Sequence, residues 1–90
     1  MSEYKRIETS LIKLLAERSQ AASICPSEVA RQVFDKDEWR AKMPLVREVV
    51  QNMENKGSIE VCQRGVPVKL SSTKGPIRLR LKGLRNELSR

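Results

Sequence analysis

The chain has 90 residues and a net charge of +7, from 18 Lys and Arg against 11 Asp and Glu. This length fits one ordinary domain, and a composition of 39% apolar and 32% charged residues is that of a globular protein rather than a disordered one. Residues 1–60 carry ten basic and ten acidic residues, whereas residues 61–90 carry eight basic residues and one acid. The excess positive charge therefore lies in the last third of the chain.

The composition also argues against several classes of function. No segment approaches the roughly 20 apolar residues that span a bilayer, and no apolar stretch of a signal peptide follows the first residues, so we expect a cytoplasmic protein without a membrane partner. There is no histidine, the usual general base and metal ligand, and the four glycines form no phosphate-binding loop. We therefore predict a protein that is not an enzyme and has no metal or cofactor. Cys25 and Cys62 are expected to remain unpaired in a reducing compartment.

The first two helices are predicted from apolar periodicity and from one proline. Over residues 2–18, apolar side chains recur every three or four positions, at Tyr4, Ile7, Leu11, Leu14 and Leu15. A loop follows, and residues 24–25 are expected to be extended because Pro26 disfavours helix at the residue before it. Pro26 suits the first position of a second helix over residues 26–34. Its inward residues are predicted to be Val29, Ala30, Val33 and Phe34.

A third helix is predicted after a polar break. Residues 38–42 begin a helical turn, in which Trp39 is interpreted as a packing residue. Pro44 would remove a hydrogen bond inside a helix, so it is predicted to open a new one over residues 44–56. Gly57 is expected to end this helix in a left-handed conformation. The predicted buried stripe consists of Val46, Val49, Val50 and Met53.

After this glycine the apolar period changes from 3.6 to 2, which indicates strands. A half-buried strand is predicted over residues 59–63, followed by a turn at residues 64–65. Residues 66–76 are rich in proline, serine and glycine and are predicted to be a loop, with a short extended piece at residues 68–70. Residues 77–81 alternate apolar and cationic, so this last strand is expected to have one apolar and one cationic face.

This order of elements predicts an α+β fold of the winged helix-turn-helix type, with three main helices, a small antiparallel sheet and a wing. Helices two and three form the helix-turn-helix, and the loop between the last two strands is the wing. Residues 24–25 are expected to pair with the edge of the hairpin as a minor third strand. We assign residues 1–82 to a single domain and residues 83–90 to a polar tail. A three-helix bundle capped by an unrelated hairpin is the competing interpretation.

Several stretches also resemble a known family. They are Ile24-Cys25-Pro26-Ser27-Glu28-Val29-Ala30, Trp39-Arg40 with Met43-Pro44, the turn into a strand at residues 57–61, and Gly75-Pro76-Ile77-Arg78-Leu79-Arg80-Leu81. Together they resemble a family of small, uncharacterised bacterial winged-helix proteins, over roughly residues 7–82. The resemblance implies a fold and a bacterial cytoplasmic setting, but no activity.

The candidate functional residues lie on the third helix and on the wing. On the helix, Arg47, Gln51 and Asn55 are predicted to face outward, where they could donate to base edges, although Glu48 and Glu54 on the same face would repel phosphates. The wing and the last strand carry a run of cations without an intervening acid: Arg64, Lys69, Lys74, Arg78, Arg80 and Lys82. Such clustering is typical of a surface that binds a polyanion. The leading hypothesis is therefore a module that binds duplex DNA, such as a transcriptional regulator.

Other interpretations remain open at this stage. The cations could simply form the polar face of a small sheet. The two acids on helix three suit a protein-interaction or structural module, and structured RNA is a further possible partner. The basic third contains no aromatic residue, which favours duplexes over single strands. Cys62 alternates with Val61, so an exposed thiol with a pKa lowered by Arg64 would suit a redox sensor. Nothing in the sequence indicates an oligomeric state.

Overall fold

The computed structural model describes residues 2–17 and 23–81. Lys82, the predicted tail at residues 83–90 and most of the predicted loop after the first helix lie outside these ranges. Within them, no helix has the length and apolar character needed to cross a membrane.

Three helices precede a small sheet. The helices are α1 (Glu3–Ala16), α2 (Pro26–Val33) and α3 (Met43–Lys56), and the strands are β1 (Ile59–Gln63), β2 (Val66–Pro67) and β3 (Arg78–Leu81), with a 3₁₀ turn at Leu70–Ser72. Local signals set the helix ends. The Ser2 hydroxyl accepts a hydrogen bond from the Lys5 amide at 3.1 Å. Gly57, with φ of 78°, ends α3 in the left-handed conformation as predicted.

The apolar stripes predicted for the helices form the core. The buried side chains of the helices are Ile7, Leu11, Leu15, Pro26, Val29, Ala30, Val46, Val49, Val50 and Met53. Phe34, directly after α2, is also buried, and Tyr4, Leu14 and Val33 pack against this core. From the other side the core is closed by Ile59, Val61 and Leu79 of the sheet. The periodicity therefore predicted correctly which face of each helix is buried.

The sheet has the order β2-β1-β3 and is antiparallel throughout. Ile24 adds a bridge to its outer edge, because the Ile24 and Leu79 backbones exchange hydrogen bonds of 2.9 and 2.7 Å. The minor third strand predicted at residues 24–25 is thus confirmed as a single bridged residue. Three helices and a small open antiparallel sheet in this order give an α+β fold of winged-helix topology.

The wing differs in detail from its prediction. The extended piece expected at residues 68–70 is confirmed only in part: Lys69 is extended and the Val68 amide bonds to the Val61 carbonyl at 2.9 Å, but the strand itself lies at Val66–Pro67 and Leu70 begins a 3₁₀ turn. Arg64 and Gly65 have φ of 55° and 80°, the left-handed pair of a tight type I′ turn. Val66, the residue directly after this turn, therefore already pairs with Gln63 of β1. Leu70 is buried in the core, which curls the loop inward there.

The segment between α2 and α3 is a series of turns rather than a helix. The amides of Trp39 and Lys42 bond to the carbonyls of Asp35 and Trp39 at 3.1 Å each. Trp39 packs against the core, as predicted, and the guanidinium of Arg40 lies 4.6 Å from its ring centroid. The third helix starts at Met43, one residue before the proline, because proline is tolerated in the first turn.

Candidate nucleic-acid interface

The tip of the wing presents cations to solvent. The type I′ turn places Arg64 at the end of the β1–β2 hairpin, where its side chain is exposed. Lys69 and Lys74 are also exposed, on the loop that follows β2. Among the residues that the structure describes, none of these three cations has a carboxylate partner. Their charge is therefore available to an external anion.

The wing loop runs back alongside α3. At one end, the Leu70 amide donates to the Glu54 carboxylate at 3.2 Å. At the other end, residues 75–77 line a cleft of about 120 Å³ together with Arg47 of α3 and the start of α2. The loop thus passes from the C-terminal half of α3 to its N-terminal half. Lys69 borders a cleft with Glu54, and residues 75–77, which follow Lys74, border one with Arg47, so the loop that carries both lysines lies beside α3.

One side chain crosses the base of this loop. The Gln63 amide nitrogen donates to the carbonyls of Lys74 and Pro76 at 2.6 and 3.2 Å, and its oxygen accepts from the Thr73 hydroxyl at 3.0 Å. From the sequence, Gln63 is predicted only to lie at the end of a strand. A signal was present, since Gln63 follows Ile59 and Val61 in the strand's alternation, where another apolar residue would be expected.

Arg80 is paired with a carboxylate. Its Nη2 lies 2.6 Å and its Nε 2.7 Å from Oε1 of Glu60, its direct neighbour across the β1–β3 ladder. The hydrogen bond to Glu60 raises the pKa of Arg80, and the two side chains are only 25% and 22% exposed. The outer face of the sheet is therefore not fully cationic, and Arg80 is neutralised where we expected a free charge. The cause is the strand register, which places the acid opposite the arginine.

Arg78 keeps its charge but is held in place. Its Nε and Nη2 donate to the side-chain and backbone oxygens of Ser23 at 3.0 and 2.8 Å. The residue is exposed, and within the described ranges no carboxylate contacts it. Arg78 thus remains a candidate phosphate contact with a fixed orientation, whereas Lys82 lies outside the described residues.

The outward face of α3 offers fewer free donors than its residue types suggest. Arg47 and Asn55 are exposed, in agreement with the helical periodicity. The side-chain amide of Gln51, however, donates to Glu54 at 3.0 Å and to Asn55 at 3.1 Å, so both of its N–H groups are engaged. Reading a base with Gln51 would require breaking these bonds. Arg47 is the better placed of the two to contact nucleic acid.

The expected exposure of Cys62 is wrong. Cys62 lies on the central strand between Pro67 and Arg78, and only 4% of it is exposed. Burial raises the pKa of its thiol, and the cation that partly opposes this effect is Arg80 rather than Arg64. A protonated, covered thiol does not suit a redox sensor. Cys25 and Cys62 are both free, as expected.

Comparison with models of known protein families gives a match over residues 4–82, to a family described as Protein of unknown function (DUF3253). The chain belongs to DUF3253. The match covers nearly all of the described residues, including α3 and the whole wing of this DUF3253 protein. It confirms the resemblance to an uncharacterised family. A search of curated proteins found no match.

Proposed function

We propose that this protein is a non-enzymatic module that binds duplex DNA through its wing, in the bacterial cytoplasm, as part of transcriptional regulation. The observation that carries the proposal is the set of exposed wing cations without carboxylate partners in the described part of the chain, folded back against α3. Arg64, Lys69, Lys74 and Arg78 would contact phosphates, and Arg47 would face the bases. Arg80 does not belong to this set, because Glu60 neutralises it.

Phosphate contacts would dominate the affinity. With about four contacts, log K is expected to fall with a slope of about −3.6 against the logarithm of the salt concentration. Affinity would then drop roughly a hundredfold between about 50 and 200 mM salt. Arg47 could add about 1–3 kcal/mol of base discrimination if it reads a guanine. The engaged donors of Gln51 favour binding with little sequence preference.

Duplexes fit this surface better than single strands. Proteins that bind single strands stack bases on aromatic rings. In this protein Tyr4, Phe34 and Trp39 pack into or against the core, and the Tyr4 hydroxyl accepts a hydrogen bond from Asn52 at 2.6 Å. No aromatic side chain accompanies the wing cations.

A protein-interaction module is the second candidate. It is favoured by the acids of α3, since Glu48 is exposed and Glu54 holds Gln51 away from a base. Such a module would need no phosphate contact, and its binding would not follow the salt dependence described above.

A titration with a fluorescent random-sequence duplex at two salt concentrations tests the proposal. We expect a slope of about −3.6, and a slope smaller in magnitude by about 1.8 for the Lys69→Ala/Lys74→Ala variant, which removes two contacts. The matched control is Lys13→Ala/Lys36→Ala, which removes one exposed lysine from α1 and one from the turns before α3. This control is expected to reduce the magnitude of the salt slope by less than the wing variant does. Absent binding at low salt would exclude the proposal, and tighter binding to an RNA hairpin of equal charge would redirect it to RNA.

A further inference from the structure

We propose that Gln63 is the positioning residue of the wing: its side chain fixes the loop that carries Lys74 before nucleic acid arrives. The inference rests on the DNA-binding function proposed above and deepens it. It assigns to Gln63 no contact with nucleic acid, only control over the shape of the surface that makes the contact.

Between the 3₁₀ turn and the buried side chain of Ile77, the polar contacts of the loop come from this side chain. Residues 74–77 lie between the 3₁₀ turn and β3, and no loop backbone hydrogen bond involves them among the described residues. Gln63 instead donates hydrogen bonds to the carbonyls of Lys74 and Pro76. Its side-chain oxygen also accepts a hydrogen bond from the hydroxyl of Thr73, the preceding residue of the loop. Three positions of the loop are thus tied to the end of a strand in the centre of the sheet.

A primary amide is well suited to this task. It offers two N–H groups for the two carbonyls and an oxygen for the hydroxyl, whereas a carboxylate cannot donate and an aliphatic side chain can do neither. Gly75 completes the arrangement, because its φ of 88° bends the chain around the amide and a Cβ there would lie 3.7 Å from the Gln63 nitrogen. The two carbonyls that Gln63 bonds, those of Lys74 and Pro76, therefore lie on either side of the bend at Gly75.

This arrangement has a consequence that distinguishes positioning from contact. A loop ordered in advance loses less conformational entropy on binding. Removing the Gln63 amide should therefore weaken binding by a similar factor at every salt concentration, since the number of phosphates contacted is unchanged. Removing a contacting lysine instead lowers the magnitude of the salt slope by about 0.9.

The test compares Gln63→Leu, Thr73→Val and the matched control Gln32→Leu, an exposed glutamine of α2 outside the wing. In the free proteins, ¹⁵N relaxation is expected to show order parameters for residues 73–75 falling from about 0.85 to below about 0.6 in Gln63→Leu. A smaller fall is expected in Thr73→Val, which removes one of the three bonds and keeps the strand residue. Duplex affinity of Gln63→Leu is expected to drop roughly tenfold with an unchanged salt slope.

Three results would overturn the inference: unchanged order parameters in Gln63→Leu, a loosened loop with unchanged affinity, or a changed salt slope, which would make Gln63 a contact. Thr73→Val keeps the test decisive if Gln63→Leu does not fold. If the unaltered protein binds no duplex, the proposed function fails. Relaxation of the free protein then still decides whether Gln63 orders the loop.

Discussion

The carboxylate of Glu60 and the guanidinium of Arg80 meet across the β1–β3 ladder at 2.6 Å. At the scale of single residues, this pair separates the cations of the basic third into two kinds. Arg80 contributes to the stability of the sheet, whereas Arg64, Lys69 and Lys74 are exposed and unpaired among the described residues. A charge count along the chain weighs them equally, although only the second kind is available to a phosphate.

Replacing Glu60 tests this division. Glu60→Gln removes the negative charge beside Arg80, so duplex affinity is expected to rise and the salt slope to steepen by about 0.9. The folded state is expected to lose about 1 kcal/mol, because the pair is partly shielded from water. Titration at two salt concentrations and thermal denaturation measure the two effects. Glu17→Gln makes the same charge change at the residue that follows α1, and equal gains in both variants would show that net charge alone is responsible.

At the scale of elements, the wing hairpin carries an unfavourable residue at its tip. Arg64 has φ of 55°, a conformation in which Asn or Gly is less strained than Arg. Backbone strain of this kind occurs often at functional sites. An arginine at the exposed tip, where the turn geometry favours asparagine, agrees with a role for its charge rather than for the turn.

Arg64→Asn should therefore change stability and binding in opposite senses. The free energy of unfolding is expected to rise by about 0.5 kcal/mol, since Asn-Gly is a preferred pair for a type I′ turn. Duplex affinity is expected to fall, with a salt slope smaller in magnitude by about 0.9. Chemical denaturation and the duplex titration check both. Gly65→Ala is the control, because it strains the same turn at φ of 80° without removing a charge. A loss of stability in Arg64→Asn would refute the argument.

At the scale of the whole molecule, the apolar core and the basic surface involve different parts of the chain. The core combines side chains from α1, α2, α3, β1 and β3 with Leu70, whereas the unpaired wing cations lie on the exposed loop and turn between β1 and β3. The family match ends at residue 82, one residue after β3. The described wing cations and the described core side chains thus both lie within the matched range, residues 4–82.

A chain ending at Lys82 tests the predicted domain boundary. The core side chains of the described residues extend to Leu81, and the family match ends at residue 82, so the shortened chain is expected to unfold within about 2 °C of the full chain. Thermal denaturation followed by circular dichroism measures the difference. A much lower Tm would move the domain boundary beyond residue 82. Arg85 and Arg90 are removed as well, so a parallel duplex titration reports whether their charge contributes.

Local patterns in the sequence determined the elements and their buried faces. The stripe of Val46, Val49, Val50 and Met53, the left-handed end at Gly57 and the winged-helix order follow from periodicity and backbone preferences, which act over a few neighbouring residues. The concentration of cations after residue 60 is likewise a property of the sequence alone.

Only the tertiary structure decided which of these cations is neutralised and what orders the wing. Glu60 and Arg80 are 20 residues apart and meet through the strand register. Gln63 and Lys74 are 11 residues apart and meet through the path of the loop. Cys62 is buried for the same reason, because its strand lies in the centre of the sheet. Alternation assigns a residue to a face, but contacts across strands depend on how distant segments pair.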